Sequence, residues 1–141
     1  MPLESDEQIA ALLQASRTVA LVGASAKPDR DSHAVMSFLQ AQGYRVVPVN
    51  PGLDGKTLLG ERVVSTLADI KEPVDIVDIF RNSDAAGQIV DQAIDIGAKA
   101  VWMQLGVINP HGADRAEAAG LKVVMDRCPK IEISRLGLLK R

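Results

Sequence analysis

The stretch Val19-Ala20-Leu21-Val22-Gly23-Ala24-Ser25 decides the fold of this 141-residue chain. A short apolar run that ends at a glycine is typical of a strand buried on both faces of a parallel sheet. The loop that follows, residues 23–31, is polar. A helical pattern begins after it, with Ser32 as the expected N-cap. A strand, a glycine turn and a helix in this order predict the opening of a Rossmann-type unit.

The rest of the chain repeats this alternation of strand and helix patterns. Further strands are predicted at 45–49, 75–80, 100–105 and 122–125, and residues 53–71 read as irregular. Helices are predicted after Ser5, Ser83 and Asn109, and a last short helix within 128–139. Aspartates alternate with apolar residues in 75–80, which predicts that this strand has a less buried face or lies at an edge.

We therefore predict an α/β fold, a Rossmann-like doubly wound parallel sheet of five strands with helices on both faces. The expected strand order is 3-2-1-4-5, in a single domain over residues 1–141. Ligands of such sheets bind beyond the carboxyl ends of the strands, where the winding reverses. That point is expected between the first and fourth strands, at loops 23–32 and 104–109, with 50–51 and 80–82 beside them.

Composition excludes several classes of function. The formal charge is −2, so a nucleic-acid partner is not expected. Cys128 is the single cysteine, which leaves no internal disulfide and no metal-binding spacing. The acidic N-terminus does not resemble a signal peptide, and no apolar run reaches the length of a membrane span. The expected location is the cytoplasm.

The loop after the first strand is the strongest candidate for binding an anion. Backbone N–H groups beyond Gly23 and the start of a helix suit a phosphate. Ser25 can donate a hydroxyl, and Lys27 and Arg30 add positive charge. A glycine that only makes the turn, beside two solvated cations, is the alternative. The four residues together at the expected ligand edge favour the phosphate site.

This loop departs from the dinucleotide-binding fingerprint. G-x-G-x-x-G would place glycines where the chain has Ser25 and Pro28. The second strand ends at Asn50 rather than at the Asp or Glu that binds the ribose of NAD. The absence of that carboxylate removes a repulsion against a phosphate on the ribose. Because coenzyme A (CoA) carries a 3′-phosphate there, these departures favour CoA over NAD.

Four other residues at strand ends are candidates, and three of them have two interpretations. Arg81 either pairs with a phosphate or adenine, or bonds local carbonyls. Trp102 fits the core better than a stacking platform, whereas Gln104 at the strand tip suits the amides of a pantetheine arm. Cys128 is either a thiol near the end of that arm or a small buried hydrophobe.

Five motifs in order resemble the small, single-domain CoA-binding proteins, the YccU-like family. They are the opening stretch with Lys27-Pro28 and Arg30, Pro48-Val49-Asn50-Pro51, Val77-Asp78-Ile79-Phe80-Arg81, Trp102-Met103-Gln104-Leu105-Gly106-Val107, and Val124-Met125-Asp126-Arg127-Cys128-Pro129. The family is similar in fold to the CoA-binding domain of the succinyl-CoA synthetase α-subunit. The synthetase needs a further phosphohistidine domain, so synthetase activity is not implied.

The resemblance implies a cofactor site for CoA and neither a catalytic residue nor a metal. The implied CoA-binding residues are Gly23, Ala24, Ser25, Lys27, Arg30, Asn50, Pro51, Phe80, Arg81, Gln104 and Gly106. The predicted function is binding of CoA or acyl-CoA without catalysis, with no nucleic-acid or membrane partner. A small NAD(P)-dependent oxidoreductase and an interaction module with a vestigial nucleotide pocket are the alternatives.

Overall fold

The computed structural model describes residues 1–140 and consists of alternating strands and helices. The helices are α1 (Asp6–Ala15), α2 (Asp31–Ala41), α3 (Ser83–Asp95), α4 (Pro110–Ala118) and α5 (Pro129–Arg135). The strands are β1 (Thr18–Val22), β2 (Arg45–Val49), β3 (Thr57–Leu58), β4 (Glu61–Arg62), β5 (Ile76–Ile79), β6 (Ala100–Met103) and β7 (Lys122–Val124). The segment predicted as irregular, 53–71, holds the small antiparallel β3–β4 hairpin and the short 3₁₀ helix Leu67–Asp69. Another short 3₁₀ helix, Pro51–Leu53, leads into it.

Five parallel strands form one sheet, and each of its faces has its own hydrophobic core. Apolar residues of α1, α2 and α5 pack on one face, around Leu21 and Trp102. Residues of α3 and α4 pack on the other face, around Val77 and Val101. Because every residue of β5 and β6 is buried, these central strands lack the exposed face of an antiparallel sheet. The predicted doubly wound α/β fold with helices on both faces is confirmed.

The strand order is β2-β1-β5-β6-β7, with all neighbours parallel. Val64 adds an isolated parallel bridge to Val49 on the outer side of β2. If the segment at Val64 is counted as an edge strand, the sheet has six positions. Numbered in chain order, the first five of these follow the pattern 3-2-1-4-5. The predicted order places segment 75–80 at the edge, but β5 lies in the middle of the sheet and pairs with β1 and β6.

The position of β5 depends on a contact that no periodicity reveals. The Asp75 carboxylate accepts hydrogen bonds from the backbone N–H groups of Arg17, at 2.8 Å, and Thr18, at 3.0 Å. These bonds hold the start of β5 against the start of β1. The winding therefore reverses between β1 and β5, so the loops that meet there are 23–30 and 80–82. Loop 104–109 follows β6, one strand further along.

Asp78 contradicts the prediction of a less buried face on this strand. It is 0% exposed, and its register neighbours on β1 and β6 are Leu21 and Trp102. Neither carboxylate oxygen has a hydrogen-bond partner among residues 1–140. Burial raises the pKa of Asp78 well above its ordinary value because the charged form would lie in an apolar core.

The helices of residues 1–140 are all too short or too polar to cross a lipid bilayer.

Candidate functional site

The first cavity lies at the carboxyl ends of β1, β2 and β5 and has a volume of about 580 Å³. This is a normal size for a small-molecule site. The lining residues come from the loop after β1, the start of α2, the turn after β2 and the end of β5. They are Gly23, Ala24, Ser25, Ala26, Lys27, Asp29, Arg30, Asp31, Ser32, Asn50, Gly52, Leu53 and Phe80.

Gly23 brings the first loop into direct contact with the end of β5. Its φ is +92°, in the left-handed region that disfavours a side chain. A Cβ atom built there would lie 2.3 Å from the carbonyl oxygen of Phe80. Only glycine therefore allows the backbone of this loop to pass so close to Phe80, which forms the wall of the cavity.

Asn50 ties the turn after β2 to the loop after β1. Its Nδ2 donates to the carbonyl oxygen of Ala24 at 2.7 Å. Its Oδ1 accepts from the backbone N–H of Gly52 at 2.8 Å. The Asn50 amide is thus engaged with the protein itself, so it shapes the cavity and positions Ala24.

The N-terminus of α2 opens onto the first cavity. The helix begins at Asp31, so Ser32 is not the N-cap that the sequence suggested. Arg30 occupies the cap position and makes no side-chain cap hydrogen bond. Its own backbone carbonyl starts the helix by accepting from His33. The first-turn N–H groups therefore have no capping side chain, which is the arrangement that binds anions at helix N-termini.

Charges of both signs line this cavity. Lys27 and Arg30 are exposed, and neither belongs to an ion pair within the described part of the chain. Asp29 and Asp31 lie in the same lining, so the four formal charges cancel. A bound phosphate must therefore contact the cations and backbone N–H groups directly, because the cavity as a whole has no excess of positive charge.

The second cavity adjoins the first and shares Asp31 and Phe80 with it. Its volume is also about 580 Å³. Its walls come from α2, α5 and the loops after β5, β6 and β7. Seven of its twelve lining residues are apolar, and Asp31, Arg81 and Lys130 are charged. The other lining residues are Ala34, Val35, Arg81, Asn82, Gln104, Leu105, Val107, Cys128, Lys130 and Ile131.

Gln104 places an unpaired polar atom in this apolar lining. The residue is 7% exposed, and its Oε1 has no hydrogen-bond partner among residues 1–140. Its backbone is fixed, since the N–H donates to Ile79 at 3.3 Å and the carbonyl accepts from Val107 at 2.8 Å. A buried amide oxygen without a donor costs free energy, so it suits a ligand that carries an N–H group.

Hydrogen bonds also fix the loop that carries Cys128. The Arg127 carbonyl accepts from Nε1 of Trp102 at 2.8 Å, and its N–H donates to Met103 at 3.2 Å. The Arg127 side chain pairs with buried Glu132 of α5 at 3.0 Å, not with Asp126. Trp102 is 0% exposed, so its predicted place in the core is confirmed.

The structure brings nine of the eleven predicted site residues to the two cavities. Six of them line the first cavity only, Phe80 lines both, and Arg81 and Gln104 line the second. Pro51 and Gly106 line neither. Gly106 is instead a structural link, as its N–H donates to Oδ1 of Asp126 at 2.7 Å.

Sequence reasoning missed the apolar part of the second cavity. Val35, Leu105 and Ile131 lie there, and Leu105 and Ile131 are 55% and 51% exposed. Two exposed large apolar side chains beside one cavity are a feature that functional sites often show. The signal available in the sequence was the position of Leu105 and Cys128 just after strand ends.

Known proteins are similar to this chain over nearly its whole length. The uncharacterized protein YneT of Bacillus subtilis (strain 168) is 37% identical over 127 residues, which cover 90% of this chain and 93% of YneT. The solved structure of cell-free ID.343 from Thermus thermophilus is 40% identical, with a TM-score of 0.90 over 94% of this chain and 99% of that chain.

A larger enzyme contains a domain of the same fold. The dinucleotide-forming acetyl-coenzyme A synthetase 1 of Ca. Korarchaeum cryptofilum superposes with a TM-score of 0.65 at 22% identity. The match covers 77% of this chain and 26% of the synthetase. At this identity the likeness concerns the fold alone. Residues 17–134 match the sequence profile of the CoA binding domain. The profile covers most of the chain, and the chain belongs to the CoA-binding domain family.

Proposed function

We propose that this chain binds coenzyme A across the carboxyl edge of its sheet, as a single-domain binding module of the cytoplasm. The observation that carries the proposal is the pair of cavities that meet at Phe80. One offers uncapped helix N–H groups and two cations, and the other offers apolar walls and an unpaired amide oxygen. CoA has the matching halves, a phosphorylated adenosine and a long arm with two amides.

In this arrangement the nucleotide occupies the first cavity. Phosphate oxygens accept from the N–H groups at the start of α2 and from Lys27 and Arg30. The hydroxyl of Ser25 already accepts from the N–H of Lys27 at 3.1 Å, and its own proton remains to donate to a phosphate. The carbonyl of Ala24, held by Asn50, keeps the loop in the conformation that exposes these donors.

The pantetheine arm then passes Phe80 into the second cavity. There an arm N–H donates to Oε1 of Gln104, which satisfies the buried oxygen. The apolar parts of the arm contact Val35 and Val107, and Leu105 lies exposed beside them. No histidine lines either cavity in the described chain, and we assign no catalytic step to them.

Binding can be tested by native mass spectrometry of freshly purified protein, followed by calorimetric titration with CoA, 3′-dephospho-CoA, NAD and NADP. We expect CoA to bind, 3′-dephospho-CoA to bind more weakly, and NAD and NADP to bind far more weakly. Tight NADP binding without CoA binding would favour an oxidoreductase, and no binding of any nucleotide would favour a vestigial pocket.

The charge contribution is tested with Arg30→Ala and a matched control, Arg62→Ala. Arg62 is exposed and lines neither cavity. Loss of one charge-assisted contact is expected to weaken CoA about tenfold, or about 1.4 kcal/mol, with 3′-dephospho-CoA less affected. If Arg30→Ala weakens both nucleotides equally, Arg30 does not contact the 3′-phosphate.

A further inference from the structure

The lining of the second cavity includes a cysteine that the binding function does not use. Cys128 is 6% exposed and lines this cavity, on a loop held by the Arg127 backbone bonds to Met103 and Trp102. It packs at the border of the core around Trp102 and also faces the cavity. The thiol is therefore at a defined position in the lining of the cavity that the pantetheine arm would fill.

Gln104 provides a second, independent observation in the same cavity lining. Its Oε1 is buried without a donor in residues 1–140, in the same lining as Cys128. Without a ligand donor this buried oxygen has no hydrogen-bond partner within the described chain, which is costly. A ligand N–H group bonded to Gln104 would continue toward the remaining walls of the cavity, one of which is the thiol.

We propose that Cys128 forms a mixed disulfide with the terminal sulfur of CoA, an inference that rests on the proposed CoA function. With the nucleotide in the first cavity and the arm past Phe80, the reactive end of the ligand lies in the cavity that Cys128 lines. The substrate class is a disulfide of CoA, and the chain acts as a reversible acceptor of CoA through thiol–disulfide exchange.

The exchange is balanced without another oxidant. Cys128 loses its proton to solvent, and the thiolate attacks one sulfur of a CoA disulfide. A new S–S bond forms between Sγ and that sulfur, and the S–S bond of the disulfide breaks. The displaced thiolate takes up a proton and leaves as free CoA. The Cys128 sulfur is oxidised, and the displaced sulfur is reduced.

Intact-mass spectrometry tests this directly, because Cys128 is the single cysteine and any disulfide adduct reports on it. The reduced protein is treated with symmetrical CoA disulfide or, separately, with oxidised glutathione. We expect an adduct of one CoA that a reductant removes, formed at least about tenfold faster than the glutathione adduct, because the bound nucleotide holds the disulfide at a high effective concentration. Adenosine 3′,5′-bisphosphate should slow only the CoA reaction.

Two variants distinguish specific recognition of the CoA disulfide from the general reactivity of an accessible thiol. Gln104→Leu removes the amide oxygen and should lower the preference for CoA disulfide several-fold, with little change in the glutathione rate. Gln92→Leu, on the exposed side of α3, should leave both rates unchanged. Equal rates with the two disulfides, or a preference that Gln104→Leu does not alter, would overturn the inference.

The two proposals fail in different ways. If calorimetry shows CoA binding and CoA disulfide reacts no faster than oxidised glutathione, the disulfide inference is wrong and CoA binding stands. If CoA does not bind, the proposed function is wrong, and the disulfide inference is wrong with it.

Discussion

The first cavity and the second cavity are built from different parts of the chain. The first is lined mostly by one continuous segment, residues 23–32, with loop backbone and charged side chains. The second collects apolar side chains from α2, α5 and three loops that are far apart in sequence. The loop that lines the first cavity exposes hydrogen-bond donors and charges. The elements that pack around the second cavity instead determine its shape. The two cavities should therefore respond to different substitutions.

Gly23→Ala should have the largest effect, because it breaks the wall common to both cavities. The added Cβ would meet the Phe80 carbonyl, and φ is positive. We expect a loss of about 2 kcal/mol or more in unfolding free energy, measured by urea titration, and loss of CoA binding.

Gly55→Ala is the matched control for this substitution. Gly55 has a φ of +78° but open space around the position of a Cβ. It should cost only the backbone strain, about 1 kcal/mol, and leave CoA binding intact. Equal losses in the two variants would mean that the contact with Phe80 is unimportant.

Asp78→Asn tests β5, the strand that ends immediately before Phe80. The folded protein holds the Asp78 proton to higher pH than the unfolded chain does, since burial raises its pKa. The contribution of Asp78 to the free energy of unfolding is therefore largest below the ordinary aspartate pKa, and it declines as the pH rises above that value.

Urea unfolding at about pH 5 and about pH 8 measures this effect. Asn cannot ionise, so the free energy of unfolding of the variant should not fall for this reason. Between the two pH values, the stability of the variant relative to the native protein should rise by more than about 1 kcal/mol. A difference that does not change with pH would show that Asp78 is not buried as a neutral acid.

Asn50→Ala should damage the first cavity alone. It removes the bonds to Ala24 and Gly52, at a cost of about 1 kcal/mol. Adenosine 3′,5′-bisphosphate should bind about fivefold more weakly, and pantetheine should be unaffected, both measured by calorimetry.

Asn82→Ala is the mirror-image variant. Asn82 also accepts a backbone N–H through its side chain, from Ala85 at 2.8 Å, but it lines the second cavity. It should weaken pantetheine and spare the nucleotide. If each variant weakens both fragments, the two cavities are one energetic unit and the distinction between them is wrong.

Asp29→Asn should have the smallest effect, and a favourable one. Removing a carboxylate from a lining whose formal charges cancel should tighten CoA binding about two- to threefold, or 0.4–0.6 kcal/mol, as for exposed charges generally. The gain should disappear at high salt because exposed charges are screened. Asp95→Asn, exposed at the far end of α3, should change nothing.

The same contrast explains what the sequence could predict. The strands, the fold class and the loop that we propose for phosphate binding follow from patterns within short segments such as 19–32. The place of β5 does not, because it depends on Asp75 reaching the N–H groups of Arg17 and Thr18 across the sheet. Ile131 joins the second cavity only through the packing of α5, which short-range periodicity does not contain.

Phe80 stands between the two cavities and belongs to both. A ligand long enough to pass Phe80 can bind both cavities at once. When one half is bound in the first cavity, the other half stays close to the second cavity, so neither half needs high affinity by itself. The protein would thereby discriminate by the reach of a ligand as well as by its chemical groups, and shorter nucleotides would be rejected without a dedicated steric block.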